Sequence, residues 1–375
     1  MKILIISPGY PDKTESSYPF VEQLVEEWAK QGHSCAVVSC FSVSKHKRLC
    51  KYKTRKIIGD TTVTIYRPNI ISFSTIRLFG FSITDFIHNN TMKMVLSHIH
   101  FEPDVVYCHF WESGYIGQWY AEKKNIPCFV ASGESNIKNL LHGMDESFAK
   151  KVDGVVCVST KNKDESIALG LTNESKCGVF PNAIDSSLFR IMDKSKCREK
   201  LGIPHDAFVP VFVGAFNERK GPLRICSALN QIEDDNIRPI FIGSGNQQPN
   251  AHNTLFQGRL MHNEIPEYLN AADIFVLPTL NEGCCNAVVE AMACGLPIIS
   301  SNLSFNWDVL DDSNSILVDP MNISQIKEAI IRLRDDKELK DNLSVGAIKK
   351  AEELTIEKRA TNIINFISHH TNTTN

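Results

Sequence analysis

Short apolar runs recur along the first half of the chain: KILIIS (Lys2 to Ser7), CAVVSC (Cys35 to Cys40), DVVYCHF (Asp104 to Phe110), PCFVAS (Pro127 to Ser132) and GVVCVS (Gly154 to Ser159). Their hydrophobicity is continuous rather than alternating, the pattern of parallel strands covered on both faces. After the first run, Phe20, Val21, Leu24, Val25 and Trp28 recur at helical spacing, and Gly32 supplies a stop. The series then restarts with FVPVFVG (Phe208 to Gly214), PIFIG (Pro239 to Gly243), DIFVLP (Asp273 to Pro278) and PIIS (Pro297 to Ser300). FPNAIDSSLF (Phe180 to Phe189), rich in turn formers, separates the two series. The pattern predicts an α/β protein of two doubly wound halves, residues 1–185 and 186–355, with a cleft between them. Ligands of such sheets bind beyond the carboxyl ends of the strands. One more amphipathic helix is predicted over Thr355 to His370, with Ile356, Ala360, Ile363, Ile364 and Ile367 on one face, before the polar tail TNTTN.

Composition narrows the class without changing this frame. With 375 residues, 43% hydrophobic and 22% charged, the chain has the make-up of a soluble globular protein of two or three domains. A net charge of -3 gives no general electrostatic grip on nucleic acid, so none is expected as a partner. Most of the twelve cysteines sit inside apolar runs, where a thiol behaves as a small hydrophobe. There is no CxxC pair, and the adjacent Cys284 and Cys285 lack a His or Cys at zinc-site spacing. The first residues read as a strand rather than a secretory leader, so a reduced, cytoplasmic protein with no metal is expected. No apolar run is long enough to span a bilayer, and any membrane contact would be peripheral.

The stretch LPTLNEGCCNAVVEAMACGLPII (Leu277 to Ile299) places Glu282 and Glu290 in otherwise apolar surroundings. Ionised carboxylates are costly to bury without partners. Either both are surface charges on an amphipathic helix, or they edge a polar ligand site. Asp273 to Pro278 reads as a strand, TLNEG as a turn, and a helix is predicted to start near Asn286, which can cap it. Glu282 then lies in the loop at the strand's carboxyl end and Glu290 one turn into the helix. The helix N-terminus offers a seat for a phosphate. Two carboxylates beside such a seat suit the hydroxyls of a sugar nucleotide.

Asp273, Pro278, Glu282, Gly283, Glu290-Ala291-Met292-Ala293 and Gly295-Leu296-Pro297 resemble the E-x7-E region of retaining GT-B glycosyltransferases of family 4. VGAFNERKGP (Val213 to Pro222) resembles that family's first strand and basic loop in the second domain. FPNAIDSSLF resembles its interdomain P-N-G-V-D segment, and FIGSG (Phe241 to Gly245) its next glycine turn. The resemblance spans essentially the whole chain, closely in the second half and loosely in the first. It implies a GT-B fold, two Rossmann-like domains with a C-terminal helix (356–375) returning to the first. It implies transfer of a sugar from a nucleotide-diphosphate donor to an acceptor hydroxyl with retention, and no cofactor. The expected partners are the nucleotide sugar and a saccharide or lipid-linked saccharide acceptor. By the same resemblance Lys220, with Arg219 beside it, holds the donor diphosphate. Glu282 binds the donor sugar and Glu290 the ribose, with Gly214, Gly283, Cys284, Cys285 and Asn286 around the donor. The family usually carries Arg directly after the glycine, where this chain has Ala215.

The first half departs further. Where many relatives carry a Gly-Gly loop, this chain has GYPDKTESSYPF (Gly9 to Phe20), and where they carry His-Gly it has Ser132-Gly133, followed by Glu134. Glu134 is a candidate replacement for the missing imidazole, and a plain turn carboxylate is the other reading. His109, closing a strand, is either a cleft residue or structural. GSGNQQ (Gly243 to Gln248) lacks the third glycine of a dinucleotide fingerprint, which excludes an NAD reading. KHKRLCKYKTRK (Lys45 to Lys56) packs seven Lys and Arg into twelve positions, with Phe73, Phe79, Phe81 and Phe86 following. It is either a contact with an anionic bilayer, on the inner face of the membrane, or a solvated hairpin or loop. Two rivals to a transferase stay open: a sugar-nucleotide epimerase of the same architecture, and a non-catalytic sugar-nucleotide binder or partner subunit.

Overall fold

The computed structural model describes residues 1–12, 18–73, 77–78, 81–138 and 146–372. Part of the loop from Gly9 to Phe20 therefore lies outside the described residues, as does Phe79. The chain divides into two compact units, Met1–Phe180 with Ala360–Asn375, and Pro181–Arg359. The first crossing comes earlier than residue 185 because Asn182 is already bound into the second unit. Its Nδ2 donates to Cys284 O at 2.9 Å and to Asn286 Oδ1 at 2.6 Å. Ile184 then donates its N–H to Leu354 O, and Ile356 donates back to Ile184 O. The return crossing lies beyond 355 because Arg359 Nε donates to Pro181 O at 2.9 Å.

The first unit is built on an eight-stranded sheet. Its order is Cys177–Val179, Gly154–Cys157, Cys128–Ser132, Val105–His109, Lys2–Ile6, Ser34–Val38, Thr61–Tyr66, Lys53–Ile58. All neighbours are parallel except the last pair, an antiparallel hairpin at one edge. The continuous apolar runs are the buried central strands, Ile3 to Ile6 and Val105 to Cys108 among them. Helices Pro19–Lys30 and Ile356–Asn372 meet where Trp28 Nε1 donates to Ala360 O at 3.1 Å. The other face packs Met92, Val95, Leu96 and Trp111 against strand side chains such as Leu4, Val38 and Cys108.

The second unit has a six-stranded, all-parallel sheet. Its order is Phe256–Gly258, Ile240–Ile242, Pro210–Val213, Ile274–Leu277, Ile298–Ser301, Ser315–Val318. Both sheets reverse direction once. In the first unit the switch lies between Lys2–Ile6 and Val105–His109, and in the second between Pro210–Val213 and Ile274–Leu277. The loops leaving the two strands at a switch diverge and leave a crevice at their carboxyl ends. Gly243, just past the neighbouring strand Ile240–Ile242, passes close to the end of Pro210–Val213: a Cβ there would sit 1.8 Å from Gly214 O, so only glycine lets these two strand ends approach.

Candidate active site

In the second unit the switch brings two loops face to face. Gly214 ends the first strand, and the loop after it carries Asn217, Arg219 and Lys220. The loop after Ile274–Leu277 carries Thr279 and Glu282. Leu280 N–H donates to Arg219 O at 2.8 Å, and Arg219 Nη1 donates to Asn281 O at 2.6 Å, which zips the loops together. Glu282 is buried, and its Oε1 collects three donors. Lys220 Nζ lies 2.8 Å away and Thr279 Oγ1 2.9 Å, and Arg219 Nη1 makes the third, short contact. The surface-helix reading of Glu282 therefore gives way to a buried carboxylate neutralised by two cations. A buried charge with this many donors is held without a large desolvation penalty. Burial draws the Lys220 ammonium down, but neighbouring Cys285 and Glu282 outweigh it and its pKa lies above the ordinary lysine value. Ala215 is exposed at the mouth of this turn.

Two residues that the sequence did not single out hold this arrangement. Arg224, in the helix Pro222–Leu229, is buried and donates to Glu218 Oε1 at 2.6 Å and to Pro278 O at 2.9 Å, bracing both loops from behind. Thr279 fixes Glu282 from within its own loop. A periodic pattern carries no signal for either, since Arg224 acts across a fold contact and Thr279 within an irregular turn.

The helix after Glu282 spans Asn286–Ala293, and its N-cap is Cys285 rather than Asn286. Asn286 is the first helical residue, and its side chain accepts from Asn182 instead of capping the helix. The cap makes no side-chain hydrogen bond, and Lys220 Nζ lies 3.6 Å from Cys285 Sγ, so an ammonium stands at the positive helix end. A phosphate at this point meets the helix N-terminus and Lys220 together. Gly283 is buried between these groups, and Cys284 is tied to Asn182. Glu290 stands in the same helix, half-buried, with its Oε1 3.1 Å from His262 Nε2. The hydrogen bond to Glu290 raises the His262 pKa above its ordinary value. His262 also packs edge-on against Phe189, with ring centroids 5.1 Å apart. No motif in the sequence singles it out.

The first-unit candidates are placed differently. Glu134 is buried, its Oε1 accepting from Trp111 N–H at 2.7 Å and its Oε2 from Ser132 Oγ at 3.2 Å. The helix Trp111–Lys124 starts after Phe110, which offers no side-chain cap, and Glu134 supplies the missing acceptor from another loop. Burial pushes the Glu134 carboxyl up to about 7, against the pull of Trp111 N–H and Ser132. Ser132 and Glu134 thus bind one another and the backbone. His109 is buried at the first unit's switch point, between Phe20 and Phe110. Among the described residues no group of three or more His, Cys, Asp or Glu is arranged to hold a metal ion.

This arrangement has known counterparts. Residues 20–188 match the family described as Glycosyltransferase Family 4, and residues 193–350 the one described as Glycosyl transferases group 1. The chain belongs to the GT-B glycosyltransferases of family 4. A family member similar to it is the Escherichia coli UDP-Gal:alpha-D-GlcNAc-diphosphoundecaprenol alpha-1,3-galactosyltransferase, 28% identical over 264 residues. That match covers 63% of this chain and 67% of the relative. The GT-B fold is shared with sucrose-phosphate synthase from Thermosynechococcus elongatus, with a TM-score of 0.77, 16% identity and 98% of each chain covered. Anabaena HepE, solved with UDP and glucose, aligns with a TM-score of 0.71 and 16% identity over 98% of this chain and 100% of its own.

Proposed function

We propose that this glycosyltransferase moves a hexosyl group from a nucleotide-diphosphate sugar to an acceptor hydroxyl, with retention at the anomeric carbon. The observation that carries the reading is Glu282 held by Lys220 and Arg219 at the second unit's switch point. The donor diphosphate draws both cations toward its own oxygens and leaves the carboxylate to accept from sugar hydroxyls. The bond from the anomeric carbon to the diphosphate then breaks while charge grows on the leaving oxygen, and positioned cations stabilise that charge without a metal. The acceptor oxygen attacks from the same face and gives its proton to the departing phosphate. Glu290 accepts from the ribose. Uridine is the proposed base, in line with the UDP named for the Escherichia coli relative and for HepE. A lipid-linked saccharide is the proposed acceptor, in line with the diphosphoundecaprenol of that relative, and the setting is surface polysaccharide or glycoconjugate synthesis.

Two measurements test this. UDP at a hundredfold excess over its Kd is expected to stabilise the protein by about 2.7 kcal/mol. Glu282→Ala is expected to keep UDP affinity within a fewfold and to lose transfer by on the order of a hundredfold, because the sugar is no longer held for attack. Transfer by Glu282→Ala at the wild-type rate would sink the assignment. A sugar-nucleotide product formed without acceptor would point to an epimerase. Ala215, which leaves the position after Gly214 without a cation, favours a second reading as a non-catalytic binder. That reading predicts UDP binding with no release of UDP from any UDP-sugar.

A further inference from the structure

We propose that the first unit carries a docking face for an anionic lipid bilayer, formed by residues 42–57, 69–73 and 83–94. These segments are distant in sequence but stitched together. Ser44 Oγ donates to Ser72 O at 2.6 Å, Thr84 Oγ1 donates to Phe73 O at 2.6 Å, and Asn69 Nδ2 donates to Cys50 O at 2.8 Å. Of the fourteen large apolar side chains exposed among the described residues, eight fall between Leu49 and Met94, so the exposure is concentrated here. Leu49 is 75% exposed, Ile57 79% and Phe86 55%. Scattered exposed apolar residues are ordinary; a contiguous group marks an interaction surface.

The helix Ile83–His98 displays the anomaly most clearly. Its buried face is Met92, Val95 and Leu96, and the opposite face of a surface helix is normally charged. Here Ile83, Phe86 and Met94 point outward with Asn90 at helical spacing. In the edge strand Lys53–Ile58, Lys56 turns inward to Glu22 and Glu26 of the helix Pro19–Lys30. Alternation then turns Arg55 and Ile57 to the other side.

Charge decides between a bilayer and a protein partner. Lys45, Lys47, Lys51 and Arg55 are exposed on the same segments, and no acidic residue occurs between 42 and 57. Arg48 is already spent on Asp12 at 2.6 Å and Lys56 on its two glutamates, so neither is counted. Asp85, in the first turn of the helix Ile83–His98, is the one acidic residue on the three segments. Apolar side chains among an excess of cations match a surface whose outer layer is anionic and whose interior is hydrocarbon. Each Lys or Arg at such a surface strengthens binding about fivefold. Docking does not depend on the transfer reading, but it would carry the active site to the lipid-linked acceptor proposed above.

The test is co-sedimentation of the full chain, without donor, with vesicles of phosphatidylcholine alone or mixed with phosphatidylglycerol. The wild type is expected to bind the mixed vesicles and not the neutral ones. A variant carrying Lys45→Gln, Lys47→Gln, Lys51→Gln and Arg55→Gln is expected to bind roughly several hundredfold more weakly, and salt should mimic it. Phe73→Ser with Phe86→Ser should weaken binding at any salt concentration. Thermal unfolding and UDP affinity equal to wild type in both variants separate lost docking from lost fold. Equal binding to neutral vesicles, unchanged binding by the quadruple variant, or self-association without vesicle binding would each overturn the proposal, the last in favour of a protein partner.

Discussion

Each unit buries one glutamate beyond the carboxyl end of its parallel sheet, and the two are held in opposite ways. Glu282 accepts from an ammonium, a guanidinium and a hydroxyl. Glu134 accepts from a backbone amide and a hydroxyl, with no cation bonded to it among the described residues. Glu282 follows a strand at the switch and Glu134 follows one a single strand beyond it; the partners differ in charge. Cations around Glu282 can be drawn to an incoming anion, and Arg219 is partly exposed to meet one. Glu134 itself fills the anion's place at the start of the helix Trp111–Lys124, where its carboxylate accepts the Trp111 N–H. A buried carboxylate in a crevice is thus a functional sign only together with what holds it.

Removing the cation should produce the largest effect. Lys220→Met is expected to lower kcat by on the order of a hundred to a thousandfold, while the unfolding midpoint moves little because Arg219 still pairs with Glu282. Arg219→Ala should cost less, since its side chain is more exposed. Equal losses in the two variants would make the pair a single unit, and no loss in either would erase the contrast with Glu134.

A pH series on the first unit comes next. The folded Glu134 pKa of about 7 lies above its unfolded value of 4.5, so the folded state holds the proton more tightly. That contribution is fully present below the unfolded value and is lost as pH rises through the folded one. The wild type should therefore lose on the order of a few kcal/mol of stability between about pH 4.5 and 7 relative to Glu134→Gln. Denaturant midpoints of the two proteins read this difference directly. A constant difference across the range would mean that Glu134 stays ionised, like a carboxylate with a cation.

The smallest effect is expected at Glu290. The raised His262 pKa means that its charged bond to Glu290 is present at low pH and is lost as pH rises through the folded value. On the proposal that Glu290 receives the ribose, protonated His262 would compete for it, so UDP affinity should weaken a fewfold on acidification in wild type and not in His262→Asn. The half-exposed pair is screened by solvent, which keeps the change small. Titration calorimetry at two pH values checks it.

Much of this was legible in the sequence. The central strands were plain because parallel strands buried on both faces must be apolar throughout. Glu282, Lys220 and Arg219 stood out because two short motifs carry them. The hairpin Lys53–Ile58 with Thr61–Tyr66 stood only as one of two readings of the basic stretch, because its lysines sit where an edge strand tolerates charge. Arg224 and His262 were silent because their partners lie in other elements, Pro278 for the first and Glu290 for the second. Glu134 was misleading for a related reason: the helix it caps begins at Trp111, with no capping residue in its own sequence. The shift of the helix start from Asn286 to a Cys285 cap is the one-residue uncertainty that any propensity carries at a helix end.

The bonds of Ile184 with Leu354 and Ile356 fasten the two ends of the second unit to each other. Topologically, that unit is an insertion closed at its own neck. Once it folds, the strands of the first unit and the helix that completes it cease to be separated by a long chain and become near neighbours along it. The entropy of closing a loop grows only slowly with its length, and here the clasp removes the second unit from that loop altogether. Contacts such as Trp28 Nε1 to Ala360 O, remote in numbering, then behave as far more local ones, which favours faster pairing.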